Sequence, residues 1–148
     1  MKVQVSLEID RPVADVWHFW AEEHVRNHPR WDPDVELEQI SEGSMGIGTK
    51  IRRRNTRWGT PVEGEMEVVE FDHEHAIAFS VHDANMDMRG RATFEAKGPE
   101  RTLLTVTTDI PGLDDPSANE LITKGMQRSI ANVKAFGRGR ALGVLTGS

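Results

Sequence analysis

From Val35 to Ile110 the chain does little but alternate. The stretches "VELEQI" (35–40), "TKIRRRNT" (49–56), "PVEGEMEVVEF" (61–71), "HAIAFSV" (75–81), "MDMRGRATFEA" (86–96) and "TLLTVTTDI" (102–110) read as strands separated by turn residues. Such a succession, with no helical stretch between its members, predicts antiparallel pairing through hairpins. A further strand opens the chain, where Val3, Val5, Leu7 and Ile9 alternate with polar residues.

A sheet of this size needs one face covered, and the chain offers one large element to cover it. Asp115-Pro116 is a good N-cap and first-turn pair. From there to about Leu142, Leu121, Ile122, Met126, Ile130, Val133 and Phe136 form an apolar stripe. Lys134, Arg138 and Arg140 suit the negative end of that helix. Between the first strand and the hairpins, Asp10 and Pro12 supply start signals for a short helix carrying Val13, Val16, Trp17 and Trp20. A second short helix is expected to stop before Pro29, because the residue preceding proline is pushed out of the helical region. "GSMGIG" (43–48) and "RWGT" (57–60) read as turns, the first lacking the helix N-terminus a phosphate site would need. The predicted fold is α+β: a seven-stranded curved antiparallel sheet around a long C-terminal helix, with two short helices after strand 1. No linker or repeat interrupts residues 1–148, which predicts a single domain.

Composition narrows the function. A formal charge of −6 gives no global attraction to nucleic acid or anionic lipid. The absence of cysteine removes disulfides, thiolate catalysis and thiolate metal sites. No apolar run approaches the ~20 residues of a spanning helix, and "MKVQVSLEID" lacks a signal peptide's apolar block. The expectation is a soluble cytoplasmic protein, a monomer or homodimer, without nucleic-acid binding or membrane insertion.

The element order and several local stretches resemble the START-like (SRPBCC) superfamily, with the helix-grip fold of the birch pollen allergen. Within it the polyketide cyclase/dehydrase and lipid-transport group is the nearest match. The resemblance is carried by "IDRPVADVWHFW" (9–20), "HPRWDPDV" (28–35), "GIGTKIRRRN" (46–55) and "VVEFD" (68–72), together with the single C-terminal helix, and covers essentially the whole chain. It implies a ligand cavity between sheet and helix and no particular reaction.

Strand parity then proposes which side chains face that cavity. Ile51, Arg53 and Asn55 share one face of their strand, and the hairpin sets Arg53 opposite Gly64 and Arg54 opposite Glu63. Val62, Gly64, Met66 and Val68 point inward, as do Ile77, Phe79 and Val81, then Met88, Gly90, Ala92 and Phe94, then Leu104, Val106 and Thr108. Arg52 and Arg54 are left outside among glutamates. The expected ligand contacts are Trp20, Trp31, Ile51, Met66, Phe79, Met88, Phe94, Thr108 and Met126. Arg53 stands out, because an unpaired buried guanidinium is costly and no acidic residue of the same parity is apparent nearby. Either it reaches water at an open mouth, or with Asn55 it binds a ligand oxygen and, in a catalyst, steers an enolate.

The segment Val16–Pro33 holds three of the four tryptophans and three of the six histidines. Trp17 is expected in the core, Trp20 at the core or the cavity edge, and Trp31 at the cavity mouth as a wall or a stacking surface. His24 and His28, at i and i+4, share a helix face, but no third ligand is fixed, so they are expected to be solvated and no metal is assigned. His18, His73 and His75 read as surface residues, and His82 as outward-facing. No cofactor fingerprint appears.

The sequence therefore predicts binding of a hydrophobic small molecule, aromatic or polyketide-like, with cyclisation or dehydration as the activity if there is turnover and Arg53 and Asn55 as its catalytic pair. The alternatives are a non-catalytic lipid, sterol or quinone carrier, and a protein-interaction module.

Overall fold

All seven alternating stretches are strands. The computed structural model describes residues 1–57, 59–84 and 86–136. The order is β1 (Lys2–Ile9), α1 (Val13–Trp17) running into a π-helical turn (His18–Glu22), α2 (His24–Trp31), β2 (Val35–Gln39), β3 (Lys50–Asn55), β4 (Val62–Asp72), β5 (Ala76–Asp83), β6 (Met86–Gly98), β7 (Arg101–Asp109) and α3 (Pro116–Phe136). The strands form one antiparallel sheet in the order β1-β7-β6-β5-β4-β3-β2. Every neighbour but β1–β7 is a sequential hairpin, so among the described residues the pairing of β1 with β7 is the one non-local pairing.

The expected register holds: Arg53 pairs with Gly64 and Arg54 with Glu63. Burial alternates strictly along β3, where Ile51, Arg53 and Asn55 are buried, and the sheet's outer face carries cross-strand ion pairs such as Arg52–Glu38 at 2.8 Å and Arg91–Glu70 at 2.8 Å. Arg54 lies 3.8 Å from Glu63 and 3.9 Å from Glu36. A bulge between Val68 and Glu70 shifts the β4–β5 register and so adds local twist to the sheet's middle.

Two sequence expectations about the helices are corrected. Asp10 does not cap α1, which starts behind Pro12 with no side-chain cap; its carboxylate instead lies 3.6 Å from Arg101. Nor does α2 stop before Pro29: it runs to Trp31, and the Asp32 N–H still donates to the His28 carbonyl at 2.9 Å. Burial of Trp31 against Phe19 and Trp20 outweighs the proline's local preference. Asp115 does cap α3, accepting from the Ser117 N–H at 2.9 Å. The expected continuation of α3 through Arg138, Arg140 and Leu142, and Trp58 in the "RWGT" turn, lie outside the described residues, as does the Phe136 side chain.

The main core runs from Trp17, Phe19, Trp20 and Trp31 across the concave face to Ile130 and Val133 of α3. A smaller cluster of Val3, Ile110 and Ile122 closes the other end. α3 bridges the two.

Candidate functional site

On the concave face, three neighbouring strands place Arg53, Gly64 and Asp83 in one row. Gly64 is the middle member, and its missing side chain is the space through which Arg53 Nε reaches the Asp83 carboxylate at 3.0 Å. A Cβ at position 64 would press on that carboxylate and lie 2.5 Å from the His82 carbonyl oxygen. Arg53 is thus neither solvent-seeking nor unpaired, which corrects the expectation that no acid shares its parity. Asp83 extends the inward series Ile77, Phe79, Val81 by one step. Its other oxygen, Oδ1, is buried without a hydrogen-bond partner among the described residues. Asn55, two residues from Arg53 and on the same face, accepts from the Arg57 N–H at 2.9 Å and so fixes the start of the following loop.

The second wall is built by the π-helical turn and α2. The wide turn leaves two backbone carbonyls to side chains: Phe19 O accepts from Asn27 Nδ2 at 3.0 Å, and Trp20 O from His24 Nδ1 at 2.8 Å. A carbonyl only accepts, so His24 carries its proton on Nδ1 and offers Nε2 as an acceptor. His28 Nδ1 lies 2.8 Å from that Nε2 and must therefore be its donor. His28 Nε2 is left as the basic nitrogen, 3.7 Å from Asp32 Oδ2, and Arg57 donates to that same carboxylate oxygen. His24 and His28, one turn apart on α2, and Asp32 at its C-cap thus form a His–His–Asp line.

Their electrostatics follow from burial. Desolvation pushes His24 well below the ordinary imidazole value, with the His28 and Arg53 charges adding to it and the Trp20 carbonyl opposing. Desolvation also lowers His28, against the pull of Asp32 and with the Arg53 and Arg57 charges helping. Burial works to raise Asp32, but the facing His28 ring and the Arg57 guanidinium outweigh it and hold the carboxyl far below the usual range. Both rings rest neutral beside a carboxylate. The sequence expectation that these histidines are solvated is corrected: His24 is 1% exposed. They lie in a line and not around a point, and among the described residues no three His, Asp or Glu side chains converge on a common centre.

Trp20 and Trp31 stack at 5.5 Å with 14° between planes, and Trp31 stacks in turn on His28 at 5.3 Å and 21°. This column accounts for two of the segment's tryptophans: Trp31 lies between the Trp20 indole and the His28 imidazole. Trp17 sits apart, wholly buried edge-on to Phe71 and Phe94.

Between these walls and α3 lies a cavity of about 760 Å³. Its polar lining includes His24, His28 and Asp32 from α2 and its C-cap, Arg53, Asn55 and Arg57 from β3 and the loop after it, Asp83 from the end of β5, Asp87 and Arg91 from β6, Thr108 from β7 and Ser129 from α3. Its apolar lining includes Val5, Met88, Val106, Ile122 and Met126, from β1, β6, β7 and α3. Of the residues expected there, Arg53, Asn55, Trp20, Trp31, Met66, Phe79, Met88, Thr108 and Met126 do line it. Ile51 and Phe94 do not: both are in the main core, where α1 and the turn after it cover that end of the sheet and Phe94 packs on Trp17 at 5.1 Å. Sequence reasoning missed His24, His28, Asp32 and Asp83. The spacing of the first three was visible, but their burial depends on Trp20 and Trp31.

A family model described as polyketide cyclase/dehydrase and lipid transport matches residues 1–136. Among solved structures, a START superfamily protein from Mycobacterium smegmatis superposes with a TM-score of 0.76 at 14% identity, over 90% of this chain and 94% of that one. The Zhui aromatase/cyclase from Streptomyces sp. R1128 gives 0.71 at 17% identity, over 98% and 93%. A major latex-like protein from Panax ginseng gives 0.70 at 18%, over 94% and 98%. At these identities the likeness carries the fold. A search of curated proteins found no match.

Proposed function

The chain belongs to the polyketide cyclase/dehydrase and lipid transport family, and from that premise we propose that it binds one flat, hydrophobic small molecule bearing a carbonyl, enolate or carboxylate oxygen, in the cavity between sheet and α3. The observation that carries this reading is the buried Arg53–Asp83 pair on an otherwise largely apolar wall. An ion pair withdrawn from water gives little net stability against an apolar replacement. Its use is recognition: Asp83 holds the Nε edge, so the guanidinium's remaining donors are pre-oriented toward a ligand oxygen. The amide of Asn55 is the second polar contact. Trp20, Trp31 and Phe79 supply aromatic faces for a planar ring system, and Met66, Met88 and Met126 adapt to its outline. A volume of about 760 Å³ falls in the range of small-molecule sites.

The test is tryptophan fluorescence and thermal shift against polyphenols, polyketide mimics, fatty acids, sterols and quinones. Aromatic ketones or phenols are expected to quench Trp20 and Trp31 and raise the melting temperature, and Arg53→Met to weaken them at least tenfold. Preference for sterols or fatty acids with no dependence on Arg53 would replace this reading with that of an apolar carrier. A flat response to the whole panel would end the ligand reading.

A further inference from the structure

We propose that His28 is a general base at the polar end of the cavity, taking a proton from the carbon next to a ligand's carbonyl, and that His24 is the positioning residue that leaves the correct nitrogen free. The inference rests on the ligand reading above and adds a reaction to it. Its starting point is direction. The Trp20 carbonyl fixes the proton of His24, and His24 fixes the proton of His28, so Nε2 of His28 has a lone pair and, among the described residues, no donor. A purely structural imidazole pair has no need for a free basic nitrogen beside a cavity that both rings line.

The groups facing His28 suit proton uptake. Asp32, the residue just past the end of α2, is 3.7 Å from Nε2, beyond hydrogen-bond reach of the neutral ring but close enough to stabilise an imidazolium. Arg57, from the loop after β3, keeps Asp32 ionised. Arg53, from β3, is paired to Asp83 and is felt as a positive charge by both rings. α3 contributes Ser129 to the cavity and Asn132 to the Trp31 carbonyl, neither of which titrates. Burial keeps His28 neutral at rest and therefore able to accept.

In the step, the lone pair on Nε2 takes the α-hydrogen as a proton. The C–H electron pair becomes the carbon–carbon double bond of an enolate, and the carbonyl π pair moves onto the oxygen, beside the Arg53 guanidinium. Return of a proton to carbon restores the ketone and completes one cycle of α-hydrogen exchange. Where the ligand carries a β-hydroxyl, the imidazolium gives that oxygen its proton instead, the C–O bond breaks, and water leaves behind a conjugated enone. Nothing is oxidised or reduced.

The experiment uses 1-tetralone, a fused-ring ketone with slow spontaneous exchange. Binding is read by tryptophan quenching and deuterium uptake at its α-carbon by proton NMR in D₂O. The wild-type protein is expected to bind it and accelerate exchange. His28→Asn keeps a donor toward His24 but removes the base, so it should bind 1-tetralone comparably and lose the acceleration by about 100-fold or more. The wild-type exchange rate should fall in acid as His28 takes up a proton, a dependence absent from the variant. Binding without accelerated exchange, or exchange unchanged by His28→Asn, overturns the proposal and leaves the ligand reading standing. Failure of 1-tetralone to bind overturns the proposal, and only a flat response to the whole panel overturns the ligand reading with it. Nitrogen-15 shifts of the wild-type imidazoles give a check that needs no variant: His28 must be protonated on Nδ1, and a proton on Nε2 refutes the assignment.

Discussion

Arg53 and Asp83 sit on strands that are not neighbours, and they meet because Gly64 between them has no side chain. Removing one partner strands the other's charge away from water, so Arg53→Met is expected to cost about 3–5 kcal/mol. Arg53→Met combined with Asp83→Leu should recover most of that loss, since an apolar pair of similar volume replaces a costly ionic one. Urea unfolding of the two variants decides: equal destabilisation of single and double would show that the pair itself holds the sheet together. His24 and His28 make a second prediction at this scale. Both are kept neutral in the folded chain by burial, whereas in the unfolded chain they bind protons near 6.5. Their contribution is complete above that value and is lost as pH falls below it, by about 1.4 kcal/mol per pH unit for each ring. Asp32 has the opposite sense, and its contribution begins to fail only below its unfolded value of 3.8. Urea midpoints should therefore decline as pH falls below 6.5, and a level profile there would contradict the burial of the two rings.

Among the elements, β6 shapes the cavity by omission. Gly90 falls on the inward parity between Met88 and Ala92 and opposite Phe79, and a Cβ built there meets nothing within 4 Å. Gly90→Leu is therefore expected to fold, to keep or slightly raise the stability because glycine weakens a strand interior, and to abolish ligand binding by filling the cavity. Retained affinity in a folded Gly90→Leu protein, measured by the same fluorescence titration, would mean that the ligand sits elsewhere. The strands themselves were legible because period-two patterning states both existence and parity, and the register of β3 on β4 followed from one hairpin. Asp83 was legible too, as the next residue of its parity after Val81, but it sits where an apolar series ends and a turn begins. α2 was harder. Pro29 argues locally for a stop, and the two histidines argue locally for solvent. Both arguments lose to Trp31, whose burial is decided by Phe19, Trp20 and Asn132 of other elements. Propensity and short spacing describe a helix alone, and that helix's chemistry is set by what it packs against.

For the molecule as a whole, the cavity divides the apolar interior into unequal parts, and α3 spans the division. Its second half is anchored by Ile130 and Val133 in the main core, and its first half chiefly by Ile122 in the small cluster with Val3 and Ile110. Between them Gly125, Met126 and Ser129 line the cavity, with Met126 also touching the small cluster. Glycine within a helix costs about 1 kcal/mol against alanine, and Leu121 nearby is half exposed, so residues 116–126 have few contacts to resist opening. Regions with few buried contacts open at lower free energy than the sheet they lie on. Amide exchange is therefore expected to be faster over 116–126 than over 127–136 or the central strands in the unliganded protein. A ligand touching Met126 and Ile122 would supply the missing contacts, and at 100 times its dissociation constant should add about 2.7 kcal/mol. That protection should concentrate in 116–126, making the first half of α3 the part that opens to admit the ligand. Hydrogen–deuterium exchange with and without a bound aromatic ketone measures this directly. Protection spread evenly over the sheet would instead assign entry to the end of the cavity walled by Trp31 and Arg57, with α3 acting as a fixed roof.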